Sequence, residues 1–298
     1  MLESRLGESA ALLTAVFWTI TALAFESAGR RVGTLAVNLL RLFIGFIFLS
    51  LFSFFVRGML FPIDASPKAW FWLSLSGLIG LVFGDQLLLL AFVKIGARIS
   101  MLIMASVPPI TALIGWATLG ETLSFIDIIG MVVTIAGIAM VVLERSPERS
   151  QFKFSYPISG ILYALCGAVG QAVGLVLSKF GMGDYDAFAA THIRILASIV
   201  GFVVLVFLLR AWPQFGAALK NRQSMSLITL GAFFGPFLGV AFSLLSIQYT
   251  TTGVASTIMA IVPVLIIPPA IILFKEKVTV KEIFGAVLAV GGVAILFL

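Results

Sequence analysis

Long apolar runs dominate the pattern of apolar and polar positions along this chain. They follow one another along its length, and each is about 20 residues long, enough for a helix to cross a hydrocarbon layer of about 30 Å. Several of the polar junctions between them are short, so neighbouring helices are expected to run antiparallel. The pattern predicts ten membrane-spanning helices, near residues 8–27, 35–56, 70–93, 99–119, 124–143, 157–178, 187–209, 226–247, 253–274 and 281–298.

Composition favours a membrane protein over a soluble one. The 298 residues are 61% apolar and 11% charged, whereas a soluble domain carries about 25% charged residues. A soluble protein with a large core is the alternative, but a fold of this size could not bury so much apolar surface. The longest hydrophilic stretches, 144–156 and 210–226, are too short for a soluble domain. We therefore predict an all-α protein integral to the plasma membrane, with the lipid bilayer as its surroundings.

The distribution of basic residues predicts an orientation. Alternate loops on one side carry Arg5, Arg57, Lys68 and Lys179, while thirteen Lys and Arg residues fall on the other side. Because basic loops stay in the cytoplasm, both termini are expected to face out. The net charge of +6 does not indicate nucleic-acid binding, since the basic residues are scattered and form no stripe.

Two stretches of the chain are closely similar. They read "MASVPPITALIGWATLGE" from Met104 and "MAIVPVLIIPPAIILFKE" from Met259. Without gaps, residues 91–143 align with 246–298, and twelve positions are identical, including Pro108 with Pro263 and Glu121 with Glu276. The alignment predicts two five-helix repeats, 8–144 and 157–298, joined by a hydrophilic cytoplasmic linker, 145–156.

The odd number of helices in each repeat determines their relative direction. Since five crossings end on the opposite side, the second repeat enters the membrane inverted. Inverted repeats are typical of secondary transporters, which hold substrate near the midplane between the halves. We therefore expect a central cavity and alternating access. An old duplication in a membrane protein that does not transport is the alternative.

Proline and glycine positions in the repeats predict local geometry. Pro108 and Pro263 interrupt the fourth and ninth helices, either as fixed kinks or as hinges that flex when the cavity opens. Glycines recur every seven residues in the fifth and tenth helices, and such small residues allow close packing. They serve contacts within the bundle or a homodimer through these two helices, and they are Gly130, Gly137, Gly285 and Gly292.

The repeated pattern also resembles a known family. Each copy has a proline in one helix, a glutamate at its exit, a short polar turn and a glycine-spaced helix. The copies are "MASVPPITALIGWATLGETLSFIDIIGMVVTIAGIAM" and "MAIVPVLIIPPAIILFKEKVTVKEIFGAVLAVGGVAI". In this the chain resembles the EamA-type proteins of the drug/metabolite transporter superfamily. The resemblance implies ten helices in two inverted repeats around a cavity, and export of amino acids, other metabolites or toxic compounds.

Four ionisable residues fall well inside predicted helices, where charges are costly and usually functional. Asp85 is the candidate for proton coupling; the alternative is an ion pair with Arg41 or Arg194 that stabilises the bundle. Both arginines could bind a carboxylate or phosphate of a substrate, or be structural. His192 could exchange protons near neutral pH, although a neutral, hydrogen-bonded packing role is favoured.

Further polar and aromatic residues are candidates for the cavity lining, each with a helix–helix hydrogen bond as the alternative. Glu26 and Lys94, near helix ends, are expected to reach the interface. Glu121 and Glu276 are expected to cap turns or pair with basic loop residues, and Cys166 to be a packed core thiol. The lining candidates are Trp18, Asn38, Gln86, Tyr163, Gln171, Ser243 and Gln248.

These observations favour a carrier over other functional classes. The sequence contains no metalloprotease, nucleotide-binding or nucleophile-elbow motif, and it has one His and one Cys. We therefore expect no enzyme activity, no cofactor and no metal. The prediction is a secondary transporter that exports small organic metabolites, amino acids or related compounds, by alternating access, with Asp85 as the candidate for proton coupling. A channel, a scaffold or an uncoupled facilitator is the alternative.

Overall fold

The fold is that of a helical membrane protein. A computed structural model describes residues 2–119, 124–145, 152–249, 255 and 258–296. Seven helical stretches among these residues are long and apolar enough to cross a membrane, and Val262–Phe274 is a shorter apolar stretch. The predicted class is confirmed at this level, while ten crossings stay a prediction. The seven are Leu6–Val32, Thr34–Arg57, Pro67–Met104, Phe125–Val142, Ile158–Met182, Ala187–Leu208 and Arg222–Tyr249.

The elements follow one another in this order. The first half contains α1 (Leu2–Val32), α2 (Thr34–Arg57), α3 (Pro67–Ser76), a π-helical segment (Gly77–Gly84), α4 (Asp85–Met104), α5 (Val107–Leu119) and α6 (Phe125–Val142). Strands β1 (Leu143–Arg145) and β2 (Phe152–Phe154) come next. The second half contains α7 (Ile158–Met182), α8 (Ala187–Leu208), α9 (Trp212–Lys220), α10 (Arg222–Ala232), a π-helical segment (Phe233–Gly239), α11 (Val240–Tyr249), α12 (Val262–Leu265), α13 (Ile267–Phe274) and α14 (Val280–Leu296).

The predicted third and fourth helices have different boundaries in the structure. Helix continues from Pro67 to Met104, and its direction changes at Gly96, where φ is 82° and ψ is 156°. This backbone conformation favours glycine, because a side chain there would be strained. The predicted 99–119 helix is therefore shared between the end of α4 and all of α5, with a turn at Ala105 and Ser106 between them.

Helices α6 and α14 begin with the same reciprocal cap. The Ser124 amide donates to Asp127 Oδ2 at 2.6 Å, and the Asp127 amide donates to Ser124 Oγ at 3.2 Å. The Thr279 amide donates to Glu282 Oε2 at 2.7 Å, and the Glu282 amide donates to Thr279 Oγ1 at 3.3 Å. Such caps satisfy amides that have no partner inside a helix. Ser124 corresponds to Thr279, and Asp127 to Glu282, in the gapless alignment of the two repeats.

The glycine stripes of α6 and α14 pack against each other. A Cβ added at Gly137 would lie 2.7 Å from Gly285 O, and one added at Gly292 would lie 2.8 Å from Gly130 O. Contacts therefore run from low to high numbers on one helix and from high to low on the other, so the helices are antiparallel. Thr134 Oγ1 also lies 3.4 Å from the carbonyl oxygen of Ala289, its counterpart 155 residues later. The stripes serve packing within the chain, and a homodimer through these helices stays a prediction.

The two π-helical segments occupy equivalent positions in the halves. Gly80 and Gly84 correspond to Gly235 and Gly239 at the repeat offset. A Cβ at Gly80 would lie 3.5 Å from Gly174 Cα in α7, and one at Gly235 would lie 2.8 Å from the Thr21 side chain in α1. The first helix of each half thus packs against the third helical stretch of the other half, which interlocks the two.

Two local expectations need correction. Cys166 is exposed rather than packed in the core, because its side chain lies on the outer face of α7. Glu26 is 3% exposed rather than at the interface, because it bonds to a backbone amide inside the bundle. The linker 145–156 also contains a short strand, Phe152–Phe154, which pairs antiparallel with Leu143–Arg145.

Candidate functional site

A cavity of about 160 Å³ lies between the two halves. Both halves contribute to its wall, which is mostly apolar and aromatic, with Phe25, Leu88, Phe92 and Met104 among its residues. Pockets for drug-sized ligands are usually about 300–1,000 Å³, so this cavity suits a smaller solute. Eight of the predicted site residues line it: Trp18, Arg41, Asp85, Pro108, Gln171, Arg194, Ser243 and Pro263.

Close glycine packing places the carboxylate of Asp85 in the cavity wall. Asp85 follows Gly84, and a Cβ added at Gly170 would lie 2.7 Å from Gly84 Cα. The backbones of α4 and α7 therefore approach each other here, which brings Gln171 beside Asp85. Gln171 Nε2 donates a hydrogen bond to Asp85 Oδ1, and the same nitrogen lies 3.4 Å from the carbonyl oxygen of Gly80.

Arg41 forms an ion pair with Asp85. Its Nη2 donates to Asp85 Oδ2, and both side chains are buried. The guanidinium carbon also lies 5.2 Å from the centre of the Phe25 ring, in a cation–π contact. Arg41 Nε has no acceptor among the described residues. The geometry is thus that of the ion-pair alternative for Asp85, and proton coupling stays a prediction.

Arg194 is the second guanidinium in the cavity wall. It lies in α8, is 4% exposed, and interacts electrostatically with Asp85. Its side chain forms no ion pair with any acid that the structure describes. Its Nε is buried and, within the described part of the chain, without an acceptor. Among the described lining residues, the wall therefore contains two cations and one anion.

Asn38 and Gln86 form a separate polar group. Asn38 Nδ2 donates to Gln86 Oε1 at 2.7 Å, and Gln86 Nε2 donates to Thr34 Oγ1 at 2.9 Å. Neither residue is among those that line the cavity. The bonds join α2 to α4, so these two residues have the helix–helix contact that was the alternative to a lining role.

Three other candidates lie away from the cavity. His192 Nε2 is 3.2 Å from Ser50 Oγ, and its ring packs against Phe46 with 4.9 Å between ring centres. Tyr163 carries Lys94 Nζ over its ring at 4.9 Å, and Gln248 is exposed. The structure therefore places His192 in a packing environment and the other two outside the candidate site.

The buried carboxylate of Glu26 holds the break at Gly96. The break leaves the amide of Ala97 without a helical partner, and this amide donates to Glu26 Oε2 at 2.8 Å. Arg30 supplies a counter-charge, with its Nη2 at 2.8 Å from Glu26 Oε1. Sequence reasoning missed this contact. The one signal is the glycine of "KIGARIS", which permits a break at this position without specifying it.

A second group of charges, which we call the Arg98 network, joins the two halves. Arg98 Nε lies 2.7 Å from Glu276 Oε2, and its Nη1 lies 3.2 Å from Glu282 Oε1. Tyr156 donates to Glu282 Oε1 at 2.7 Å, and burial together with this carboxylate raises the pKa of Tyr156 to about 12. Glu276 thus pairs with a basic residue as predicted, whereas Glu121 lies outside the described residues.

The Arg98 network lies close to the cavity. Arg98 and Glu282 line a small void of about 10 Å³ together with Pro263, and Pro263 also lines the main cavity. The proline of the second repeat therefore separates the cavity from the charges that join the halves.

A third contact between the halves lies beside Arg57, at the C-terminal end of α2. Arg57 Nη2 is 2.5 Å from Asp64 Oδ2, and Tyr185 donates to Asp64 Oδ1 at 2.9 Å. Burial raises the pKa of Asp64, but the Tyr185 hydrogen bond and the charge of Arg57 outweigh it and hold this pKa below its ordinary value. Asp64 is more exposed than the acids of the Arg98 network, so its ion pair is expected to be the weaker one.

Comparisons with known proteins agree with the fold and the repeat. The model of the EamA-like transporter family matches residues 5–143 and again 158–298. An uncharacterized transporter from Clostridium kluyveri is 22% identical over 221 residues, which are 74% of this chain and 70% of the relative. A solved chain, described only as a crystal structure of a protein, shares the fold with a TM-score of 0.68 and 19% identity, covering 97% of this chain and 95% of its own. The chain belongs to the EamA-like transporter family.

Proposed function

We propose that this transporter exports small organic metabolites, amino acids or related compounds, across the plasma membrane by alternating access, with Asp85 coupling export to protons. The proposal rests on one observation: the cavity between the two family repeats is lined by residues of both and holds a buried carboxylate. Substrate sites of secondary transporters lie at such repeat interfaces. Export as the direction follows from the family alone.

The packing of α6 and α14 supports inverted repeats of five helices each. These are the last helices of the two halves, and positions at the repeat offset contact each other across an antiparallel crossing. A two-fold axis between equivalent residues produces reciprocal contacts of this kind. Because the helices are antiparallel, that axis relates halves of opposite direction, as alternating access by exchange of shapes requires.

Two groups of polar contacts between the halves support the same mechanism. The Arg98 network and the hydrogen bond from Tyr185 to Asp64 each join one half to the other. In alternating access, the halves separate on one side while they close on the other. We expect the Arg98 network to break in one state and the Tyr185–Asp64 hydrogen bond to break in the opposite one.

An uncoupled facilitator is the second candidate, and the Arg41–Asp85 ion pair favours it. If the pair persists throughout the cycle, Asp85 has no occasion to take up a proton. Coupling requires instead that the pair opens in one state, so that the buried carboxyl becomes protonated there.

Transport in liposomes distinguishes the two candidates. The purified protein is reconstituted with a pH-sensitive dye inside, and a panel of amino acids is added. Proton flux evoked by a substrate and abolished by Asp85→Asn supports coupling. Asp184→Asn, at an exposed acid in the turn between α7 and α8, is the matched control and should transport normally. Substrate flux that does not depend on pH and is unchanged by Asp85→Asn would support the uncoupled facilitator instead.

Cysteine labelling tests the orientation. The native Cys166 is first replaced by Ala, and Ser155→Cys then places a thiol at an exposed position of the linker. A cytoplasmic linker should be protected from an impermeant maleimide in intact cells and react after permeabilisation. Reaction in intact cells would refute the orientation with both termini out.

A further inference from the structure

We infer that Arg194 binds a carboxylate, so that the solutes recognised by the cavity are small monoanionic acids with an apolar body. The inference rests on the proposed function and specifies the chemistry of its substrate site. It begins from the charges of the cavity wall. Of the three charged groups among the described lining residues, Arg41 and Asp85 are already paired with each other, whereas Arg194 forms no ion pair with a described acid.

Arg194 has the properties of a ligand-binding group. A guanidinium stays charged under all ordinary conditions, and a buried charge without a counter-ion is strongly disfavoured. Asp85 interacts with Arg194 electrostatically, but both of its oxygens already accept hydrogen bonds, from Arg41 and from Gln171. A ligand that supplies a negative charge would therefore complete the site rather than compete with an existing pair.

The net charge of the wall selects the kind of anion. Two guanidiniums and one carboxylate leave a single positive charge among the described lining residues. A carboxylate brings one negative charge and fits the fork of a guanidinium through two parallel hydrogen bonds. A phosphate monoester brings about 1.5 to 2 negative charges and would leave the site negative. The charge balance therefore favours a carboxylate over a phosphate.

The rest of the wall determines the body of the solute. Beside the charged groups it offers aromatic and aliphatic side chains, with Trp18, Phe25, Leu89 and Met101 among them. Apolar walls with a few polar groups are typical of small-molecule sites. A branched or aromatic side chain of modest size would pack there while its carboxylate reaches Arg194.

A matched pair of ligands tests the inference without any transport. 4-Methylpentanoate and 4-methylpentanamide have the same apolar body, and only the first is charged. Binding of each to the purified protein in detergent is measured by calorimetry, with leucine and inorganic phosphate alongside. We expect the acid to bind at least tenfold more tightly than the amide. Leucine, whose ammonium group cancels the charge of its carboxylate, and phosphate are expected to bind more weakly than the acid.

Variants assign the preference to Arg194. Arg194→Gln should reduce acid binding at least tenfold and leave amide binding unchanged, while Arg194→Lys, which keeps the charge but loses the fork, should give an intermediate loss. If a variant does not fold, the wild-type ratio of acid to amide still decides the question. Equal binding of acid and amide, no acid binding at millimolar concentration, tighter binding of phosphate, or an unchanged ratio in Arg194→Gln would each overturn the inference.

The outcome is separable from that of the proposed function. The binding measurement involves no gradient, so a failure of proton coupling leaves it intact. Conversely, coupled transport of leucinamide without any binding of the acids would support the carrier and refute the carboxylate site.

Discussion

Replacement of Arg98 by glutamine should open the cavity towards the side of the Arg98 network. Arg98 is the only bridge in that network between α4 and the two acids Glu276 and Glu282 within the described chain. The change removes both ion pairs between the halves, so it favours their separation.

The size of the effect follows from the burial of the two contacts. Hydrogen bonds to charged groups contribute about 1.5–3 kcal/mol when buried, and exposed ion pairs about 0.2–1 kcal/mol. The Arg98 side chain is 10% exposed and that of Glu276 is 26% exposed, so the contacts are mostly but not fully buried. We therefore expect the two ion pairs together to stabilise the closed state by about 2 kcal/mol. At about 1.4 kcal/mol per factor of ten, the open population should rise about 30-fold.

Cysteine accessibility measures that population. Ser243 lines the cavity, and Ser243→Cys in a Cys166→Ala background gives a reporter there. In membrane vesicles of each orientation, the rate of labelling by an impermeant maleimide from the network side should rise about 30-fold in Arg98→Gln. Arg222→Gln, at an exposed arginine at the start of α10, is the control. An unchanged rate, or an equal rise in the control, would refute the assignment of the Arg98 network as a closed gate.

Three further predictions concern stability in detergent. Gly292→Ala should lower the free energy of unfolding by about 1–3 kcal/mol through overpacking against α6. Gly291→Ala is the control, because its Cβ would meet no described atom within 4 Å. Equal thermal midpoints of the two variants would contradict the helix crossing. Tyr156→Phe should cost about 1.5–3 kcal/mol. The pKa of Tyr156 is raised to about 12 in the folded protein. Its contribution to stability is therefore complete below the unfolded pKa of about 10 and is lost as the pH rises through about 12. The free energies of unfolding of wild type and Tyr156→Phe should accordingly become equal at the alkaline end of this range. Asp64→Asn should cost at most about 1 kcal/mol at neutral pH, because the pair is partly exposed. The pKa of Asp64 is lowered, so its contribution is present above the unfolded value of about 3.9 and is lost as pH falls through the folded value; a difference from wild type that persists in acid would contradict the pairing.

The sequence was sufficient for the features that depend on long patterns. Apolar runs predict the helices, and the gapless repeat places Pro108 and Pro263 at equivalent positions, both of which line the cavity. Charged residues inside apolar runs, Arg41, Asp85 and Arg194, are all found in the cavity wall. A buried charge must face a cavity or a partner in any membrane protein, so these residues could be identified without knowledge of the packing.

Features that depend on packing could not be predicted in this way. Whether Asn38 or Gln171 faces the cavity depends on the rotation of each helix, and only Gln171 does. The burial of Glu26 depends on a break at Gly96 that exposes one amide, and a single glycine among many does not reveal its φ. The Arg98 network joins residues 178 and 184 positions apart, and no periodicity connects such distant positions.

The paired π-helical segments leave the two halves unequal in one respect. Asp85 follows the first segment and Val240 follows the second, and both residues line the cavity. The two π-helical segments have equivalent positions in the backbone, but only the first is followed by an acid. The electric field inside the cavity is therefore asymmetric although the helices around it are repeated. A dipolar solute therefore meets different surroundings at its two ends and is favoured in one orientation, which gives the cavity a polarity that duplication alone would not.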